Sequence, residues 1–273
     1  MIKEIRTVKF DAELKIEAYH FQGIMQKFPN HFHEYYVIGF IEDGRRHLSC
    51  KNKDYTIESG DLLLFNPGDN HTCEQIDDKT LDYRCINIQP EIMSKAVFEI
   101  TGRECLPYFT TQVAFHSELV SLLGELHLMI MQEERDFRKE EIFFLLLKQL
   151  IEEYADEKLT LNSDQNMETK AICEFLEKNY RNNITLDDLC KLTGLSKYYL
   201  LRSFTKQKGI SPYSYLETIR IDKAKKLLEQ GILPIDVALQ TGFSDQSHFS
   251  NFFKKFIGLT PKQYMNIFRE IRS

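Results

Sequence analysis

The spacing of apolar and polar positions changes along the chain. Up to about residue 95 the apolar runs are short and end in turn signals. Tyr35–Ile41, His47–Cys50, Asp54–Glu58, Asp61–Phe65 and Asp82–Ile88 are separated by Glu42-Asp43-Gly44, Lys51-Asn52-Lys53, Ser59-Gly60 and Asn66-Pro67-Gly68-Asp69-Asn70. Short, regularly spaced strands of this kind predict a sandwich or small barrel. From Ser117 the period becomes helical, with one stripe at Leu119, Leu122, Leu123, Leu126 and Ile130 and another at Ile142, Phe143, Leu146, Leu147, Leu150 and Tyr154. Two amphipathic helices are predicted, at 117–131 and 137–155. Residues 156–168 carry almost no apolar side chains and read as a linker between a domain at 1–155 and another at 169–273. Beyond it only helical patterns occur, interrupted by Gly194, Gly209, Pro212, Gly231, Pro234, Gly242, Gly258 and Pro261.

The second domain repeats itself. Asp188, Thr193 and Gly194 recur as Asp236, Thr241 and Gly242, and Leu200, Phe204, Gly209, Pro212 and Tyr215 are matched by Phe249, Phe253, Gly258, Pro261 and Tyr264. Each copy reads as helix, glycine turn, helix. Thr185 with Asp188 has the form of a capping box opening Leu186–Leu192, and Ser196 caps a helix running to about Gln207. This is the pattern of a helix-turn-helix, whose second helix enters the major groove of DNA. The apolar spacing turns Leu200, Phe204, Phe249 and Phe253 inward. Left outside are Lys197, Tyr198, Arg202, Thr205 and Lys206 on the first such helix, and Gln246, Ser247, Ser250, Asn251, Lys254 and Lys255 on the second. Arg and Asn suit bidentate contacts to base edges, and Lys, Ser, Thr and Tyr suit phosphates. Between the two copies, Tyr213–Gln230 predicts a spacer helix of about 27 Å, close to the roughly 34 Å between successive major grooves.

Charge sharpens this picture. The chain of 273 residues is net −6, but residues 170–273 hold 17 Lys+Arg against 10 Asp+Glu, net +7, leaving 18 against 31, net −13, in the rest. A basic C-terminal part beside an acidic N-terminal one points to phosphate contact by one half alone. The opening Met-Ile-Lys-Glu-Ile-Arg and the absence of a long apolar run predict a cytoplasmic protein without signal peptide or membrane span. Six scattered cysteines without a Cys-x-x-Cys pair fit reduced thiols.

The segment from Ile184 to Arg269, above all Gly242-Phe243-Ser244-Asp245-Gln246-Ser247-His248-Phe249-Ser250-Asn251-Phe252-Phe253-Lys254-Lys255 followed by Gly258-Leu259-Thr260-Pro261-Lys262-Gln263-Tyr264, resembles the DNA-binding domain of the AraC/XylS family of bacterial transcription regulators. The resemblance implies recognition helices at Lys197–Gln207 and Gln246–Phe256, with Arg202 and Asn251 at base-reading positions. Two departures stand out: Met265 follows Tyr264 where the family usually has Arg, and Asn251 occupies a position where Arg is frequent.

In the first domain, His31 and His33 open a strand and His71 follows Pro67-Gly68, so three imidazoles are expected to converge. This stretch resembles the cupin fold, and more closely the ligand-sensing cupin domains of AraC-type regulators. The Glu expected of metal-binding cupins has no counterpart in Val37-Ile38-Gly39-Phe40. A sensor pocket is therefore preferred to a metal site or cofactor, with His31, His33, Tyr35, His71, Arg84 and Asn87 orienting a small-molecule effector. The resemblance also implies a homodimer, for which the stripe Leu119, Leu122, Leu126 and Ile130 is the candidate interface. The expected fold is α+β: a cupin-like β-barrel (jelly roll) with two flanking helices, then an all-α domain of two helix-turn-helix units joined by a linker helix. The expected function is regulation of transcription on double-stranded promoter DNA, not catalysis, with RNA polymerase as a partner if the protein activates. Two alternatives stay open: a metal-dependent cupin enzyme fused to a DNA-binding domain, and a protein-docking role for Phe252 and neighbouring aromatics.

Overall fold

Strands dominate the first half of the chain and helices the second in the computed structural model, which describes residues 4–134, 137–156 and 167–272. The strands are β1 (Ile5–Asp11), β2 (Ile16–Ile24), β3 (Phe28–His31), β4 (Tyr36–Asp43), β5 (Arg46–Cys50), β6 (Lys53–Ile57), β7 (Leu62–Phe65), β8 (His71–Gln75), β9 (Leu81–Ile88), β10 (Tyr108–Phe109), β11 (Val113–Ala114) and β12 (Ala155–Asp156). The helices are α1 (Pro90–Thr101), α2 (Leu119–Met131), α3 (Phe137–Tyr154), α4 (Met167–Asn179), α5 (Leu186–Thr193), α6 (Lys197–Lys208), α7 (Pro212–Glu229), α8 (Pro234–Gln240), α9 (Gln246–Ile257) and α10 (Pro261–Arg272). The chain divides into two units, Met1–Lys27 with His33–Leu161, and Phe28–Phe32 with Asn162–Ser273. Most of the expected linker, 157–166, lies outside the described residues.

In the first unit the larger sheet has the antiparallel order β1-β2-β9-β4-β7-β11. Its register lines up side chains in rows. Ala18, Ile86, Ile38 and Leu64 sit side by side on β2, β9, β4 and β7, all at 0% exposure. This face shares one core with Leu123 and Leu126 of α2 and Leu146, Leu147 and Leu150 of α3. Because side chains alternate along a strand, the adjacent row Glu17, Asn87, Val37 and Phe65 points the opposite way. In the second sheet β5 pairs with both β6 and β8.

The expected dimer stripe is corrected here. Leu119, Leu126 and Ile130 are buried in the unit's own core and Leu122 packs against it. The face is covered by the sheet and by α3 of the same unit. The outward apolar positions are instead Leu128, 50% exposed, and Leu145 of α3, 44% exposed. Helix α1 was not foreseen beside the two flanking helices.

Two buried cations tie this unit together. The Arg46 guanidinium, 1% exposed, donates to the carbonyls of Ile24 (2.6 Å), Arg45 (2.7 Å) and Lys79 (3.2 Å). Lys139 near the start of α3 pairs with Asp11 (2.6 Å) and Glu13 (2.8 Å) at the β1–β2 turn.

The second unit is built around α7, which packs against α4, α6, α8 and α10. In the first helix-turn-helix, the Thr185 hydroxyl accepts from the Asp188 amide and the Asp188 carboxylate accepts from the Thr185 amide, so the capping box is complete. Gly194 ends α5 at φ 72°, and Ser196 caps α6. In the second copy Gly242 holds φ 82° and Asp245 caps α9, accepting from the His248 amide at 2.8 Å. The two copies thus share a turn geometry, while their first helices start differently, by capping box and by Pro234.

Candidate functional site

The helical unit presents two polar helix faces. On α6, Leu200 and Phe204 are fully buried, and Arg202, Thr205 and Lys206 are exposed. On α9, Phe249 and Phe253 are fully buried and Phe256 nearly so, which leaves Gln246, Ser247, Asn251, Lys254 and Lys255 exposed and Ser250 half-buried. The side chains of Lys197 and Tyr198 lie outside the described residues. Tyr199, 56% exposed, joins the α6 face, and nothing in its spacing had marked it. Phe252 is half-buried and stacks on Phe256 with ring centroids 4.8 Å apart, so its ring is engaged within the unit. Met265 is 2% exposed beside buried Tyr264, whose hydroxyl donates to Glu229 at 2.9 Å, while Arg269 is exposed. The position after the tyrosine is a core position here, and the nearby cation that faces water is Arg269.

Inside the first unit the expected effector residues separate. His33 stacks on Tyr35 (4.8 Å between centroids) and lies 5.2 Å from His71, which stacks on Phe65 at 4.1 Å. Because Phe65 belongs to the row Glu17, Asn87, Val37, Phe65, these rings share a wall with two polar side chains. The Glu17 carboxylate accepts from the Tyr19 hydroxyl (3.3 Å) and the Asn87 amide (3.4 Å). Arg84 is the exception. It shares strand parity with Ile86, lies over the Phe40 ring and pairs with Glu42 and Asp82, on the face opposite Asn87. Residues 84 and 87 on one strand have opposite parity, so the sequence already held the signal that separates them. Glu17 and Tyr19 were missed because β2 was not predicted.

Of the three imidazoles expected to converge, His33 and His71 lie together within the first unit. The Nδ1–H of His31 donates to the Pro29 carbonyl and that of His71 to the Asp69 carbonyl. By the division of the chain, His31 belongs with the helical unit and not with the barrel.

Burial pushes the imidazoles of His71 and His127 down to about 4. His127 of α2 donates to the Tyr19 carbonyl at 2.9 Å. Between pH ~6.5 and ~4 the unfolded chain binds protons that these folded histidines do not, so their stabilisation is complete above that window and fades as pH falls through it. The melting temperature is expected to drop from pH 7 to pH 5. His127→Gln keeps a donor without the titration and should flatten that drop, and an unchanged pH slope in melting scans would contradict this assignment.

Comparisons with known proteins agree with this arrangement. Residues 13–147 match the family model of the AraC-like ligand binding domain, and residues 189–267 match a helix-turn-helix domain model. The chain is 62% identical over 249 residues to the HTH-type transcriptional regulator YbfI of Bacillus subtilis, covering 91% of this chain and 90% of that one. A longer HTH-type regulator of Staphylococcus aureus (strain COL) is 26% identical over 84% of this chain, which spans 31% of that relative. Among solved structures, an apo form of ToxT from Vibrio cholerae, carrying a single substitution, superposes with a TM-score of 0.58 at 17% identity, covering 95% of this chain and 99% of ToxT. A wild-type ToxT structure bound to unsaturated fatty acid gives 0.56 at 19%, with 98% of each chain covered. These structures share the fold. Among the described residues no helix is long and apolar enough to cross a membrane.

Proposed function

The chain belongs to the AraC/XylS family of helix-turn-helix transcriptional regulators with an AraC-like ligand-binding domain, and from that premise we propose that it is a cytoplasmic, effector-responsive regulator that inserts α6 and α9 into successive major grooves of promoter DNA. The observation that carries this reading is the pair of polar helix faces, each backed by a buried apolar stripe, one on the helix that precedes the α7 spacer and one on a helix that follows it. Arg202 and Asn251 would read base edges, with Gln246 and Ser247 beside Asn251 at the start of α9. Lys206, Lys254 and Lys255 would take phosphates, and Arg269 a further one that Met265 cannot. Lys197, Tyr198, Thr205 and Ser250 complete the proposed contact set.

The effector would bind against His33, Tyr35, His71 and Asn87, with Glu17 and Tyr19 added; Arg84, on the opposite face, and His31, in the helical unit, leave the set. Stacked rings beside hydrogen-bonding groups suit a small molecule with one flat face and polar edges. Such a ligand changes transcription only by binding two protein states with different affinity. If the regulator activates, RNA polymerase is its protein partner.

A homodimer would form through the outward faces of α2 and α3. Leu128→Glu with Leu145→Glu is expected to shift the protein from dimer to monomer in sedimentation while its melting temperature stays within a few degrees. A double variant that sediments like the wild type would place the interface elsewhere.

The test of the regulatory reading is selection by the purified full-length protein from fragments of the host genome. Enrichment of a common site with two half-sites about one helical turn apart is the expected result. Recovery of fragments without a shared sequence would contradict it.

A further inference from the structure

The helical unit is discontinuous in sequence. Phe28–Phe32 belongs to it, although Lys27 before and His33 after belong to the barrel unit. Three side chains of this short segment reach different parts of the helix-turn-helix pair. Asn30 Nδ2 donates to the carbonyl of Gly209 at 2.9 Å, and Gly209 is the left-handed residue that ends α6. The His31 ring lies edge-on to Phe256, in the last turn of α9, with centroids 5.2 Å apart, and its Nδ1 donation to Pro29 at 2.6 Å fixes the ring. Phe32, 6% exposed, packs on Tyr215 of α7 at 4.9 Å and belongs to the same core cluster as Leu200 and Phe204 of α6. One five-residue segment therefore touches the C-terminal ends of both helices whose exposed faces carry Arg202 and Asn251.

We propose that Phe28–Phe32 is a strap that fixes the orientation of the two recognition helices relative to each other and so sets affinity for DNA that must engage both. The inference rests on the DNA-binding reading above. Without the strap the two helix-turn-helix units adjust their mutual angle about α7, and that freedom is lost when both grooves are occupied, which weakens binding. Contact with a single groove carries no such cost.

The test uses full-length Asn30→Ala and Asn30→Ala/His31→Ala, measured by anisotropy on the selected operator and on a copy with one half-site scrambled. Loss of the Gly209 hydrogen bond is expected to weaken binding to the intact operator about 5-fold, and the double variant about 10-fold or more. Both should bind the half-scrambled copy within about 2-fold of wild type, because one groove needs no fixed angle. Equal losses on both DNAs, or no loss on either, would overturn the strap. Should the double variant melt below the assay temperature, Asn30→Ala carries the test, since it truncates a half-buried side chain and leaves the buried rings of the segment in place. A wild type that fails to distinguish the intact from the half-scrambled operator would instead sink the two-groove reading itself.

Discussion

Arg202→Ala and Asn251→Ala are each expected to weaken binding to the selected operator by about 1–3 kcal/mol, roughly 5- to 150-fold, and to relax the preference for the base each one reads. Both side chains are exposed on helix faces whose opposite sides are fully buried, so neither substitution opens a cavity, and melting temperatures should hold. Lys206→Ala and Lys255→Ala provide the contrast. A phosphate contact carries no sequence information, so these variants should lose affinity evenly across sequences and lower the salt slope by about one. Titrations of wild type and variants on the operator and its single-base mutants distinguish the two behaviours. If the Arg202 and Asn251 variants lose affinity evenly too, the assignment of base readers is wrong.

The second large effect concerns stability. Gly242→Ala is expected to destabilise the helical unit by about 3–5 kcal/mol, combining a left-handed backbone with overpacking. A Cβ at Gly242, where φ is 82°, would stand 2.7 Å from the Tyr180 carbonyl oxygen and 2.9 Å from that of Arg181. Those carbonyls have little room to retreat, because Arg220 of α7 donates Nε to Tyr180 (2.8 Å) and Nη2 to Asn182 (2.9 Å). The matching residue of the first copy, Gly194, has φ 72° and nothing within 4 Å of its would-be Cβ. Gly194→Ala should therefore cost about 1–2 kcal/mol, the backbone term alone. Denaturant melts of the two variants measure the difference, and equal losses would show that the contact with residues 180–181 is not what holds Gly242.

Local chemistry was legible in the sequence, and long-range pairing was not. The capping box at Thr185 and Asp188, the turn glycines and the inward Leu200/Phe204 and Phe249/Phe253 pairs all act within a few residues, so their spacing alone located α5, α6 and α9. The stripe on α2 was expected to be a dimer interface, but periodicity does not say what covers a face, and the sheet and α3 cover this one. Strand β1 was missed because its apolar residues Ile5, Val8 and Phe10 do not alternate strictly along an edge strand. The solvation of Arg46 by carbonyls of residues 24, 45 and 79 leaves no pattern along the chain. Nor does the allotment of Phe28–Phe32 to the helical unit, since it depends on neighbours beyond residue 200.

Whether the basic C-terminal unit reads DNA sequence through two helices is decided by anisotropy of the full-length protein on the selected operator and on a scrambled duplex, across salt concentration. The expected result is a dissociation constant at or below roughly 10⁻⁸ M on the operator, at least about 10³-fold weaker binding to the scrambled duplex, and a steep decline with salt on both. Binding that ignores salt, or that is equal on the two duplexes, would contradict it.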